Sequence, residues 1–219
     1  MELSFPMPDT GESIGYVTHA SVMQANADQE RWDERYRGGR GPLLAEISPW
    51  AVSQQLHLAG GRGLDVACGA GRYTLWLATL GYQVDAVDVS AVALAQLENW
   101  AKQQGCLHAI QAIQADLNSW RPLPDAYDLV LVSLYLNRDL LAPLQAAVRP
   151  EGLLLYTTYH TDLLLTHGDF RPEFLLQTGE LLSIFAGWDI VAYEERRWRP
   201  GGSRSDCTTS LLARKPRRL

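Results

Sequence analysis

An α/β domain with a mostly parallel sheet, covered by helices on both faces, is what this sequence predicts. Three observations carry the prediction. From Leu64 onward, short apolar runs that read as strands alternate with helical patterns. The first run leads into the tight turn Cys68-Gly69-Ala70-Gly71, and a helix follows at once. Three acids, Asp65, Asp88 and Asp116, fall at or near the ends of the first three runs, where open α/β sheets bind ligands.

The elements follow in order. Residues 1–27 carry Pro6, Pro8, Gly11 and Gly15 among small polar residues and read as a loosely ordered extension. A helix is expected from Ala27, capped by Asp28, with Trp32, Arg35 and Tyr36 inside two turns. Gly38, Gly39, Gly41 and Pro42 form a flexible link carrying Arg40, and a second helix runs from Pro49 to about Leu58. Leu64–Ala67 is a buried strand and Arg72–Leu80 a buried helix. Gln83–Val87 is the second strand; Ser90 then caps a helix that Gly105 ends. His108–Ala115 is the third strand, delivering Asp116, and Tyr127–Ser133 is nearly all apolar and therefore central. Asp139–Val148 is helical, Pro150-Glu151-Gly152 turns into a fifth strand at Leu153–Thr158, and Gly179–Phe185 is a helix. Asp189–Glu195 and Thr208–Ala213 are strands joined by a turn around Gly201-Gly202; with no helix between them, they pair antiparallel. Residues 28–219 thus form one domain, with 28–60 as helices ahead of the sheet.

Composition narrows the function. The 219 residues are 47% apolar and 20% charged, as in a soluble globular protein. A net charge of -6 and a pI near 5.3 argue against a nucleic-acid partner, which needs basic clusters. No apolar run is long enough to span a bilayer and no signal peptide opens the chain, so a cytoplasmic protein is expected. Cys68, Cys106 and Cys207 are too widely spaced for a disulfide framework or a zinc site, and no metal is expected.

The glycine turn is built for a nucleotide-type ligand. Glycine lets the backbone approach a ligand closely, and the helix start offers free amides to an electron-rich group. A dinucleotide fingerprint needs a third small residue where Thr74 stands, so that match is poor. Asp88 follows Gly71 by 17 residues, where a carboxylate can accept both ribose hydroxyl hydrogens. A nicotinamide oxidoreductase would place an acid there too.

The pattern Asp65-Val-Ala-Cys-Gly69-Ala-Gly71 resembles motif I of the class I S-adenosylmethionine-dependent methyltransferases, with Ala67 in place of the family's usual first glycine. Trp32-Asp33-Glu34-Arg35-Tyr36 resembles a helix that lids the cofactor pocket in several members, although Trp32 and Tyr36 could equally be core aromatics. Asp169-Phe170-Arg171-Pro172, Gln177-Thr-Gly-Glu180-Leu-Leu, Gly187-Trp188-Asp189-Ile190 and Leu211-Leu-Ala-Arg-Lys215 are similar to the tellurite-resistance branch. That branch's His-Arg pair after the sixth strand is replaced by Arg196-Arg197.

The resemblance implies a Rossmann-like seven-stranded sheet with an antiparallel C-terminal hairpin, and a methyltransferase using S-adenosylmethionine and yielding S-adenosylhomocysteine. It implies a cofactor site of Tyr36, Arg40, Asp65, Ala67, Cys68, Gly69, Gly71, Arg72, Asp88, Val89, Asp116, Leu117 and Ser133. Within it, Asp116-Leu117 meets the adenine, the Ser133 carbonyl meets the methionine amine, and Arg40 or Arg72 pairs with the carboxylate. The implied acceptor is a small molecule, either a soft chalcogen oxyanion (tellurite, selenite) or a thiol. A small amine or hydroxyl acceptor, and a non-catalytic cofactor-binding protein, remain alternatives. Tyr135, Arg138, Arg171 and Arg197 are candidates to border or hold the acceptor. His160 or His167 would serve as base only for a neutral one, and Cys68 reads as packing rather than a nucleophile. No membrane partner is expected, and the protein is read as a monomer or homodimer.

Overall fold

The computed structural model describes residues 19–38, 47–199 and 202–217. Seven strands make one sheet: β1 (Gly61–Val66), β2 (Tyr82–Asp88), β3 (Ile110–Gln114), β4 (Tyr127–Ser133), β5 (Val148–Tyr159), β6 (Asp189–Glu195) and β7 (Thr208–Arg214). Their order is β3-β2-β1-β4-β5-β7-β6, with β1 to β5 parallel and β7 antiparallel to both β5 and β6. This is the expected Rossmann-like architecture. The helices are α1 (His19–Arg37), α2 (Pro49–Ser53), α3 (Arg72–Thr79), α4 (Ala91–Gln103), α5 (Arg138–Ala147) and α6 (Glu180–Ile184).

The strands are apolar because both faces are covered. In β4, Leu129 and Leu131 pack with Tyr73 and Leu77 of α3 on one face. Val130 and Val132 pack with Leu140 and Leu144 of α5 on the other, where Leu181 and Phe185 close the layer. α4 joins the α3 side, its Leu94, Leu97 and Ala101 lying against Leu75 and Ala86. Its capping follows the sequence: the Ser90 side chain accepts from the Ala93 amide at 3.1 Å, and Gly105 takes φ 72° after the last turn.

Several boundaries differ from expectation. α1 begins at His19 rather than Ala27, because nothing between Gly15 and Ala27 breaks a helix. Asp28 therefore lies inside the helix, paired with Arg31 at 3.3 Å, and does not cap it. The second helix stops at Ser53, whose hydroxyl bonds the Trp50 carbonyl at 2.7 Å, and a 3-10 turn (Gln55–His57) follows. β3 starts late, after a 3-10 turn over Leu107–Ala109. β5 starts early, at Val148, and carries through Pro150-Glu151-Gly152 with a register shift and Glu151 at φ 64°. Arg40, residues 1–18 of the expected extension, and Gly201 of the hairpin turn lie outside the described residues. Among the described residues no helix is long and apolar enough to cross a membrane. Nor do any three His, Cys, Asp or Glu side chains there gather as a metal site.

Gly71 caps α3 at φ 89°, and a Cβ added there would run into the Leu97 side chain of α4. Its missing side chain thus serves the packing of two helices. Gly71→Ala should lower stability by about 1–3 kcal/mol through overpacking and a left-handed backbone. A urea midpoint that falls with an unchanged m-value would confirm it; an unchanged midpoint would refute it.

Candidate functional site

The chain runs outward from β1 to β2 and β3, then crosses back to β4 and β5 on the other side. Such a reversal leaves a crevice at the strands' carboxyl ends. There lies a cleft of about 1110 Å³, lined by the loop after β1, the ends of β2, β4 and β5, the turn after β3, and α1.

Three buried carboxylates hold its glycine loop, the start of α4 and α1 in place. The Gly69 amide donates to Asp88 Oδ2 at 2.8 Å and the Ser90 amide to Oδ1 at 2.9 Å, so one side chain fixes both the glycine loop and the start of α4. Burial raises the Asp88 pKa against these amide bonds, which lower it. Asp65 Oδ2 accepts from the Thr74 hydroxyl at 2.6 Å. Burial, opposed by that bond and reinforced by Asp88, pushes Asp65 up to about 7. The third is Asp33 of α1. Its Oδ1 accepts from the Ser90 hydroxyl at 2.6 Å and the Val92 amide at 3.1 Å. Burial works against that charge, yet the bonds to Ser90, Val92 and Gln29, with Arg37, hold the carboxyl below its ordinary range.

This contact docks α1 across the cleft, helped by the Gln96 side-chain amide, which donates to the Tyr36 carbonyl at 3.1 Å. Trp32 and Tyr36 consequently line the cleft. A Cβ added at Gly69, where φ is 56°, would strike the Tyr36 hydroxyl. Burial, then Asp88, raises the pKa of that phenol. Two non-glycine residues adopt left-handed backbone at the ends of the neighbouring strands β1 and β4: Ala67 at φ 54° and Leu134 at φ 55°. Both line the cleft, where such strain commonly gathers.

Of the expected cofactor residues, Tyr36, Asp65, Ala67, Cys68, Gly69, Arg72, Asp88, Val89, Asp116, Leu117 and Ser133 line the cleft. Gly71 does not, because it faces Leu97. Asp116 Oδ1 accepts from the Asn118 amide and side chain at 3.0 and 2.9 Å, which shapes the turn after β3. The Cys68 thiol is pushed well up by burial and by Asp65 and Asp88, which leaves it protonated packing.

The acceptor candidates divide. Tyr135, Arg138 and Arg171 line the cleft. Arg138, however, spends its fork on Glu180 at 2.7 and 2.9 Å and on the Glu173 and Leu175 carbonyls, fastening α5 to α6. His160 lies outside the cleft and is 1% exposed. Its Nδ1 accepts from the Asp162 amide at 3.2 Å and its Nε2 meets the Arg196 carbonyl at 2.6 Å, so neither nitrogen is available as a base. Arg197 also lies outside, bound to Asp162, Glu195 and Thr178. His167 is half-buried and does not line the cleft. Asp33, Thr74 and Arg204 were not legible as site residues: their roles depend on helix docking and on a turn far along the chain.

Comparison with known proteins gives concordant results. The family described as "Tellurite resistance protein TehB" matches residues 50–199. A ubiquinone biosynthesis O-methyltransferase of Burkholderia multivorans is 32% identical over 117 residues, 51% of this chain and 50% of that protein. The chain thus spans about half the length of that curated relative. The crystal structure of TehB from Haemophilus influenzae superposes with a TM-score of 0.64 at 20% identity, covering 85% of this chain and 66% of that one. An S-adenosylmethionine-dependent methyltransferase from Mesorhizobium loti does so at 0.59 and 21% identity, covering 75% and 96%. These two likenesses establish the fold.

The raised Asp65 pKa has a definite sign. Above pH 3.8 the unfolded carboxyl ionises while the folded one stays protonated to about 7. This site's contribution is therefore complete below about pH 4 and declines as pH rises to about 7. Asp65→Asn should remove that decline, so that the variant gains stability relative to the parent from pH 4 to 7; parallel stability–pH curves would refute it.

Proposed function

The chain belongs to the TehB tellurite-resistance family and has the class I methyltransferase fold, and on that footing we propose that it transfers a methyl group from S-adenosylmethionine to a small-molecule acceptor. One observation carries the reading: Asp88 and the Gly69 amide form a single bonded unit, 2.8 Å apart, on the floor of a cleft at the sheet's reversal point. The donor set fits the cofactor. Asp88 keeps lone pairs for ribose hydroxyls, Asp116 and Leu117 suit an adenine, and Gly69 has no Cβ to obstruct close approach. Arg72 suits a carboxylate: it lines the cleft and has no acid partner within ion-pair distance among the described residues. When bound, the cofactor supplies a methyl carbon already activated by its sulfonium sulfur.

What remains to the protein is placement. Trp32 and Tyr36 close one side of the cleft and exclude water, and Tyr135 and Tyr159 offer aromatic faces to developing positive charge. Among the described residues no histidine lines the cleft, and the Cys68 thiol is held protonated. This favours an acceptor that arrives as an anion and needs no imidazole base, a chalcogen oxyanion or a thiolate. The O-methyltransferase relative favours a second reading, a hydroxyl acceptor.

Asp88→Asn and Asp116→Ala should each weaken S-adenosylmethionine and S-adenosylhomocysteine binding by about tenfold or more in calorimetry, as expected for losing a charge-assisted hydrogen bond. Unchanged affinities would remove both acids from the site. Release of S-adenosylhomocysteine with selenite, tellurite, thiols, phenols or amines identifies the acceptor class; cofactor binding with no release from any of them would leave a binding protein.

A further inference from the structure

The cleft is divided, and its second half is aromatic. The acids Asp65, Asp88 and Asp116 belong to the β1, β2 and β3 side. The β4 and β5 side carries Tyr135, Tyr159, Phe170 and Phe174. Tyr159 and Phe170 meet edge to face, with centroids 5.8 Å apart at 71°, and are braced from behind by Leu163, Leu175 and buried Cys207. Phe174 is 41% exposed although it lines the cleft, with the Arg171 guanidinium 4.8 Å above its ring. Arg171 is already neutralised by Glu173 at 2.7 Å. Arg204 is not: it lines the same cleft from the turn leading into β7, and no described acid lies within ion-pair distance of it. The acid nearest it in that turn, Asp206, is bound by Ser203 and Arg196.

We propose that this half of the cleft is a subsite for a planar aromatic thiol bearing an acid group, its ring held among Tyr135, Tyr159, Phe170 and Phe174 and its carboxylate on Arg204. The proposal rests on the methyltransferase reading and selects within it. A three-oxygen oxyanion would use none of the aromatic surface. An aromatic acid holds its charge at one guanidinium and its ring on faces that prefer π contacts. At about 1110 Å³ the cleft exceeds the roughly 300–1,000 Å³ typical of a single-ligand pocket, which leaves room for a ring beside the nucleoside. The chemistry balances without a base, oxidant or metal. The acceptor's thiol proton leaves to solvent beforehand, and the thiolate lone pair becomes the new sulfur–carbon bond. The pair of the broken bond stays on the departing sulfur, now a neutral thioether, so one negative and one positive charge cancel.

The test compares 3-mercaptobenzoate, thiophenol and tellurite as acceptors for the full chain, with S-adenosylhomocysteine affinity measured alongside. Expected are a kcat/KM for 3-mercaptobenzoate about tenfold above that for thiophenol, and a loss of about tenfold, mainly in KM, in Phe174→Ala and Arg204→Gln. Calorimetric affinity for S-adenosylhomocysteine should stay unchanged in both variants, since neither residue belongs to the cofactor half. Equal kcat/KM for the two thiols, tellurite turned over faster than either, or variants indistinguishable from the parent would each overturn the subsite while leaving methyl transfer in place. Failure of the parent chain to bind S-adenosylhomocysteine would instead overturn the broader reading.

Discussion

One carboxylate, Asp88, governs the geometry of this protein. It ends β2, and its two oxygens take the amides of Gly69 and Ser90. The loop after β1 and the first turn of α4 are therefore fixed to the same point. Burying a carboxylate is costly unless its bonds compensate, and here backbone amides offset part of that cost. Ser90 passes the constraint on: its hydroxyl donates to Asp33, which also takes the Val92 amide. The start of α4, with its orphan amides, thereby becomes the anchor of α1. The glycine loop, α4 and α1 form one connected polar unit.

The same unit explains where the cleft is closed and where it is open. Docking by Asp33 brings Tyr36 over the glycine loop, so the β1–β2 side is covered by aromatic rings and floored by acids. On the β4–β5 side the walls are set by different contacts. The Tyr156 hydroxyl donates to the Tyr135 carbonyl at 2.9 Å, the Leu134 amide bonds the Thr157 carbonyl at 2.7 Å, and Arg138 fastens α5 to α6. These bonds hold the backbone where Leu134, Tyr135 and Tyr159 line the cleft. The two halves meet where the Asn137 side-chain amide, after β4, donates to the Asn118 side-chain oxygen in the turn that holds Asp116, at 3.4 Å.

Much of the fold was legible because its signals are local. The alternation from Leu64 onward, the Ser90 cap, and the apolar run of β4 each follow from side-chain burial or capping within a few residues. The missing helix between β6 and β7 likewise predicted their antiparallel pairing. The boundaries that moved did so for equally local reasons that residue type alone does not reveal, such as Ser53 bonding back to Trp50. Gly71 shows a different limit. Its glycine was readable, but whether the absent side chain makes room for a ligand or for Leu97 depends on a helix that arrives 20 residues later.

By itself, the sequence determined the class of sheet, the glycine turn and the acids at the strand ends, since strand period and turn chemistry are written in neighbouring residues. Only the tertiary structure decided how the histidines and arginines were assigned. His160 is enclosed by the Asp162 amide and the Arg196 carbonyl, Arg138 is consumed by Glu180, and Arg204 is delivered to the cleft from far along the chain. A titratable or charged side chain acts according to its partners, and partners distant in sequence meet only when the sheet has closed around its reversal point.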